Sequence, residues 1–278
     1  MKKIFSSIAV LSSLVLVLAG CGTSGNQAAP SAPAEKAPTE NAQPANLLEK
    51  IKAEGKIRVG TEGTYSPFTF HDESGKLTGY DVEVITEVAK RIGVEPEFME
   101  TQWDSMFAGL DSERFDVIAN QVGIRPDRQE KYDFSSPYTV STAVLAVHKD
   151  NTTVTDFKDI KGLKAAQTLT SNLTDIAREN GAEIVGVEGF NQAIDLLVSK
   201  RVEVTVGDRL SFLEFLKQKP ETPVKIVANH ADAAQNGFMF RKGSNELVEA
   251  FNKALDEMRQ DGTLAKISEK WFGADVSK

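Results

Sequence analysis

From residue 47 onward, short apolar runs alternate with segments in which apolar residues recur every three or four positions. Lys56–Gly60 reads as a strand. Asp81 is placed to cap a helix in which Val82, Ile85, Val88 and Ala89 share one face until Gly93 ends it. A strand over Glu97–Glu100, a short helix over Asp104–Leu110 and a strand over Phe115–Ala119 follow. Ala143–His148 and Leu163–Gln167 are again strand-like, and Ser171 or Asn172 can cap a helix that ends near Gly181. Strands at Glu183–Val187, Val202–Val206 and Val224–Ala228 then bracket helices at Asn191–Lys200 and Arg209–Lys217. After a strand-like Phe238–Arg241, the spacing of Leu247, Phe251, Ala254, Leu255 and Met258 predicts a long amphipathic helix stopped by Gly262. A final helix ends at Trp271-Phe272-Gly273. Such alternation predicts an α/β fold of mainly parallel sheets flanked by helices. Two stretches of it predict two lobes, 47–139 plus 238–278 and 140–237. Crossings near Tyr138–Thr142 and Asn236–Phe240 would make a hinge beside a cleft.

The start of the chain follows another pattern. Lys2 and Lys3 precede an apolar run, Ile4–Leu18, and then Leu18-Ala19-Gly20-Cys21. Fifteen residues are short for a membrane-spanning helix, which needs about 20, but suit a secretory signal. The small residues before Cys21 resemble a bacterial lipoprotein cleavage box. Residues 1–20 are therefore expected to be a signal peptide, and Cys21 an acylated N-terminus holding the protein to the outer side of the cell membrane. An ordinary signal peptide is the alternative. Residues 21–46 carry Pro30, Pro33, Pro38 and Pro44 among small polar residues and only three charges, a composition expected to stay disordered as a tether.

Composition narrows the chemistry. The 278 residues carry a formal charge of −8, and an acidic chain of pI near 5.1 repels a polyphosphate, so no nucleic-acid partner is expected. One Cys and three His are too few for a Cys/His zinc site or a disulfide framework. No metal or cofactor is expected, and His71, His148 and His230 are scattered. Of the two Asn-X-Thr sequons, at Asn151 and Asn172, neither has meaning behind a bacterial-type leader.

Several motifs in order carry a resemblance. Gly60-Thr-Glu-Gly-Thr-Tyr65-Ser-Pro-Phe68 with Leu77-Thr-Gly-Tyr-Asp81 opens the folded part. Asp116-Val-Ile-Ala-Asn-Gln-Val-Gly123, Arg128 and Tyr132-Asp-Phe-Ser-Ser-Pro-Tyr138 follow, and Asp261-Gly-Thr-Leu through Lys270-Trp-Phe-Gly273 closes it. Together they resemble bacterial substrate-binding proteins of polar amino-acid ABC transporters, family 3 of the extracellular solute-binding proteins. Glu100-Thr-Gln-Trp-Asp-Ser-Met-Phe-Ala-Gly109 and Gln167-Thr-Leu-Thr-Ser-Asn172 look most like its cystine-binding members. The resemblance implies a two-lobed periplasmic-binding-protein-like fold. It further implies a monomer that captures L-cystine and delivers it to a permease and its ATPase. Another polar amino acid (glutamine, histidine or arginine) is the alternative ligand, and a dehydratase on the same fold the alternative class.

A free amino acid needs a cation for its carboxylate, an anion for its ammonium and a surface for its side chain. Arg128 offers a bidentate fork, and the resemblance gives it the α-carboxylate; by itself it reads more readily as part of a solvated charged loop, 125–131. Thr170, Ser171 and Asn172 sit where a helix begins, so their N–H groups could clamp the same carboxylate or simply cap. Leu169 stands where many relatives have Gly. Asp208, at the end of a strand, is either a helix cap or, by resemblance, the partner of the α-ammonium. Tyr65 before Ser-Pro reads as turn filler and Trp103 as core, but the resemblance makes both walls of the pocket. Asn120, Gln121 and Gly123 replace small hydroxyl residues, and the two amides with Gln167 and Asn172 would suit a long polar ligand. Apart from Asp208, no carboxylate or His is expected in the pocket, which disfavours an enzyme.

Overall fold

The computed structural model describes residues 46–278, so the expectations for the signal segment, Cys21 and the tether up to residue 45 lie outside the described residues. Asn46, placed in the tether by sequence, instead caps the first helix by accepting from Glu49 N–H at 3.0 Å.

The first half contains α1 (Leu47–Glu54), β1 (Lys56–Thr61), β2 (Thr64–Tyr65), β3 (Thr69–His71), β4 (Leu77–Thr78), α2 (Tyr80–Ile92), β5 (Glu95–Glu100) and α3 (Trp103–Asp111). It continues with β6 (Val117–Gly123), α4 (Pro126–Gln129), β7 (Tyr132–Phe134) and β8 (Thr139–His148). The second half has β9 (Lys164–Gln167), α5 (Asn172–Glu179), β10 (Glu183–Gly186), α6 (Phe190–Val198), β11 (Val204–Asp208), α7 (Arg209–Gln218) and β12 (Val224–Arg241). Helices α8 (Asn245–Gln260) and α9 (Thr263–Phe272) close the chain.

Along the main sheet the order is β10-β9-β11-β8-β12-β6-β1-β5, with β7 also on β12. The outer pairs are parallel, β1 with β5 and β6, β9 with β10 and β11. The middle is antiparallel, because β8 and β12 run side by side from one half to the other, Asn236 opposite Thr139 and Lys225 opposite Val147. Their length was not legible. Where sequence predicts two strands, 224–228 and 238–241, the chain makes one of 18 residues. Its polar centre, Asn229–Asn236, lacks an apolar rhythm because one side of it is open. Backbone pairing to β8 holds it there, through two register shifts.

The apolar core divides at these crossing strands. One body of side chains joins Ile51, Ile57, Ile85 and Tyr138 to Phe238, Phe251 and Met258 beneath α2, α8 and α9. Trp103, Met106, Phe115 and Met239 fill the opposite face of β1 and β6. In the second half, separate clusters around Leu145 and Val204, and around Leu197 and Phe212, cover the two faces of β8, β9 and β11. Each such fully buried side chain contributes about 1.5–3 kcal/mol, so each half carries its own core. The fold is a two-lobed α/β architecture.

Two sequence expectations are corrected in the first lobe. Gly79, not Asp81, caps α2: it adopts φ 132°, and an added Cβ would lie 2.2 Å from the Phe68 carbonyl oxygen. Asp81 falls in the first turn and points inward, fully buried. Strand β6 also runs four residues past Ala119, carrying Asn120 and Gln121 into the interior. No helix among the described residues is long and apolar enough to cross a membrane.

Candidate functional site

Between the lobes lies a cavity of about 120 Å³, room for several waters or one small solute. The first lobe supplies Glu62, Tyr65, Trp103, Asn120 and Gln121. The second supplies Gln167, Ser171, Asn172, Phe190 and Asp208, and β12 adds Asp232 and Asn236. Strand ends explain the convergence: β1, β6, β9 and β11 all terminate beside it, where open sheets expose unsatisfied backbone and the first turns of helices.

Arg128, one turn into the short α4, is buried rather than solvated, which corrects the charged-loop reading. Its Nη1 donates to Gly123 O at 3.1 Å and its Nη2 to Thr170 O at 3.2 Å, and neither Arg128 nor Gly123 lines the cavity. The guanidinium lies 5.7 Å from the Trp103 ring and 5.3 Å from that of Phe107. Burial pulls its pKa down to about 10, and among the described residues it has no ion-pair partner. A Cβ on Gly123 would stand 3.6 Å from Arg128 Nη1 and 3.7 Å from the Asn172 side chain, ordinary contact distances, so packing alone does not demand glycine there.

Trp103 is buried at the start of α3 with its indole N–H unpartnered among the described residues. Tyr65 packs on Phe68 of its own lobe and faces Phe190 of the other at 6.3 Å. Asp208 is a helix cap and also lines the cavity. Its Oδ1 accepts from Leu210 N–H at 2.8 Å as the cap of α7, while the residue lines the cavity. Loss of solvation pushes its carboxyl up to about 6.

The amides behave differently from expectation. Asn120 Nδ2 donates to the Glu62 carboxylate at 2.6 Å, and its Oδ1 accepts from Glu62 N–H at 2.9 Å. Gln121 Nε2 donates to Asp81 at 2.6 Å, and its Oε1 accepts from Asn236 Nδ2 at 3.0 Å. Both line the cavity, but their hydrogen bonds belong to the protein, so the idea that they are spare partners for a long ligand is corrected. Gln167 likewise donates to Val206 O at 3.1 Å. Gln121 sits at φ 50°, and the buried Asp81 carboxylate, pushed up to about 7 by desolvation, holds its backbone N–H at 2.8 Å.

Leu169 and Thr170 do not line the cavity. Leu169 is 52% exposed and is absent from the residues with positive φ, so its side chain is accommodated without a glycine conformation. Thr170 turns its N–H and hydroxyl to Asp104. Ser171 caps α5 by accepting from Leu173 N–H at 3.1 Å. Of the expected anion clamp, Ser171 and Asn172 face the cavity and Thr170 does not.

Sequence reasoning missed Glu62, Asp232 and Asn236. Glu62 corrects the expectation that Asp208 is the only carboxylate in the pocket, and burial pushes it up to about 7. Its position in the Gly60–Phe68 motif was a signal; the polar run around Asp232 and Asn236 offered none. The three histidines stand elsewhere, His71 against Gly63 O and Glu100, His148 beside Asp150, His230 against Phe157. Among the described residues no cluster of His, Cys, Asp and Glu could hold a metal ion.

Hydrogen bonds cross the mouth of the cleft on both sides. Asn191 Nδ2 donates to Thr64 O at 3.1 Å, and Arg125 pairs with Asp175 at 2.7 Å. The lobes are closed on each other.

Residues 57–274 match the model of the bacterial extracellular solute-binding proteins, family 3. Over 279 aligned residues, covering 100% of both chains, the sequence is 50% identical to the L-cystine-binding protein TcyA of Bacillus subtilis. The L-cystine solute receptor of Neisseria gonorrhoeae, in its unliganded open conformation, shares 49% identity over 84% of this chain and 99% of that one, with a TM-score of 0.57. An ancestral arginine-binding protein bound to arginine, 38% identical over 78% of this chain and 98% of that one, superposes with a TM-score of 0.74. The open structure fits less well despite its higher identity, in keeping with the bonds that hold these two lobes together.

Proposed function

The chain belongs to family 3 of the bacterial extracellular solute-binding proteins, and from that membership we propose that it captures L-cystine between its lobes and hands it to an ABC permease. One observation carries the reading. The desolvated anion Asp208 lines the cavity, a buried cation, Arg128, lies behind its wall against Trp103, and among the described residues neither has an ion-pair partner. Unpaired buried charges of opposite sign cost stability unless a zwitterion takes them up. The carboxylate of an amino acid answers Arg128, and its ammonium answers Asp208.

Glu62 supports the choice of cystine over a simple amino acid. It is a second desolvated anion in the same cavity, and cystine brings a second ammonium. Trp103, Tyr65 and Phe190 provide apolar surface for the disulfide between the two ends. Outside the cell is where a disulfide-linked ligand persists, and a lipid on Cys21 would hold a monomeric receptor there, close to its permease. The same Glu62, titrating near neutrality, is what a dehydratase would need as general acid; turnover of a cyclohexadienyl acid would favour that second reading.

A thermal-shift screen of the common amino acids plus L-cystine tests the proposal. The only cysteine of the sequence is Cys21, so dithiothreitol reduces the ligand and leaves the folded part untouched. L-cystine is expected to give the largest shift, and dithiothreitol to abolish most of it. Equal affinity for cysteine and cystine, or tighter binding of glutamine, histidine or arginine, would refute the ligand assignment.

A further inference from the structure

Asp104 lies in the first turn of α3, exposed at the rim of the cleft. Every side-chain hydrogen bond it makes among the described residues reaches the other lobe. Oδ2 accepts from Leu169 N–H at 3.0 Å, and Oδ1 from Thr170 N–H at 3.0 Å and from Thr170 Oγ1 at 2.7 Å. The opposite side of the same segment is gripped as well, because Thr170 O accepts from Arg128. Two residues of the second lobe are thus held by their N–H groups to an anion and by a carbonyl to a cation, both from the first lobe. Neither Leu169, Thr170 nor Asp104 lines the cavity.

Resting on the ligand-binding reading above, we infer that Asp104 is a closure latch, a residue that sets how long the ligand is retained without touching it. Capture precedes closure. In the open form the two N–H groups and the hydroxyl are hydrated and distant from Asp104, so the three bonds form only after the ligand has entered, and must break before it can leave. They therefore act on the opening step. The apparent affinity follows, since a receptor binds in proportion to the population of its closed form.

The neighbouring ion pair cannot do this as well. Arg125 is shared between Asp175 across the cleft and Asp127 on its own loop, at 2.7 and 2.8 Å. On opening, Arg125 keeps Asp127, so the difference between the two states is small. Asp104 has no such second partner among the described residues. Its site also explains why a side chain is tolerated at position 169: the latch uses only the backbone of Leu169, whose side chain stands 52% exposed.

The test is stopped-flow tryptophan fluorescence with L-cystine on the full chain, Trp103 lying against the cavity. Three exposed, charge-assisted bonds, discounted for solvent, predict that Asp104→Ala raises the dissociation rate about 10- to 30-fold, with the association rate within about twofold. Thr170→Val, which keeps its N–H and branched shape, should raise dissociation about threefold and add nothing in the Asp104→Ala background. Asp104→Asn, with one acceptor left for two N–H groups, should fall between. An unchanged dissociation rate in Asp104→Ala, a loss confined to association, or full additivity with Thr170→Val overturns the latch. If L-cystine gives no signal but another amino acid does, the ligand assignment has failed and the same rate ratios are expected with that amino acid. No response to any amino acid overturns both.

Discussion

Replacing Arg128 by Met should separate binding from stability. The guanidinium is 6% exposed, and burial moves its pKa from 12.5 to about 10. At about 1.4 kcal/mol for each pKa unit, the folded chain holds the charged form at a cost of roughly 3 kcal/mol. That penalty is present in full at neutral pH, starts to fall as pH rises past about 10 and is gone only above 12.5, because a base with a lowered folded-state pKa is less protonated when folded. Met removes it while keeping a long, flexible apolar side chain between Trp103 and Phe107. Lost in exchange are bonds to two carbonyls, one buried and one partly buried, about 1.5 kcal/mol each at the low end, and the ring contacts, about 0.5–1 kcal/mol. Gain and loss nearly cancel. The ligand-free variant should melt within about 5 °C of the parent. Binding should suffer far more: a ligand carboxylate buried without its partner costs about 3–5 kcal/mol, two to four decades in Kd at about 1.4 kcal/mol per decade. Calorimetry with L-cystine and a melting curve on the same sample decide the matter. Affinity within tenfold of the parent would refute the carboxylate role. A melting point lowered by much more than the expected few degrees would make Arg128 a strut of the fold instead.

Asp208→Asn keeps an oxygen for Leu210 N–H, and Asn caps as well as Asp, so the melting point should hold. Binding of α-amino ligands should fall more than that of deaminated analogues in competition assays, and equal losses would leave Asp208 as a cap alone. Glu62 and Asp81 at about 7 and Asp208 at about 6 are all raised above the usual carboxylate range by burial. The ligand-free fold therefore binds more protons than the unfolded chain as pH falls from about 8 to 5, and its melting point should rise over that window. L-cystine affinity should move the other way, because its ammonium groups need Asp208 and Glu62 ionised. Parallel pH profiles for melting and affinity would contradict these assignments.

The strand and helix rhythm was readable wherever one face meets a core. Helix α8 follows its apolar spacing from Leu247 to Met258, and β9, β10 and β11 fall within about two residues of where the pattern puts them. Rhythm failed where the backbone alone decides. The centre of β12 is polar because it faces a cleft, and a polar run reads as a loop although pairing to β8 resumes on both sides of an irregularity between Asn229 and Ala233. The same logic hid the short strands β2 to β4, too brief for any period to show.

For the site, sequence could name residue types but not the direction in which each would spend its hydrogen bonds. Asn120 and Gln121 line the cavity, yet Glu62 and Asp81 occupy the donors that made them attractive as ligand contacts. Those two carboxylates come from β1 and α2, some forty to sixty residues away along the chain. A buried Asp whose neighbours in sequence all suit a helix cap gives no hint that it will turn inward to hold a residue at φ 50°. The consequence is a division of labour. The amides of β6 are fixed by acids behind them, and Gln121 passes that fixation to Asn236 on the crossing strand. The wall and the hinge are therefore one hydrogen-bonded unit, and among the described residues the Trp103 N–H without a partner and the Arg128 and Asp208 charges without an ion pair are the groups on which a bound amino acid would act.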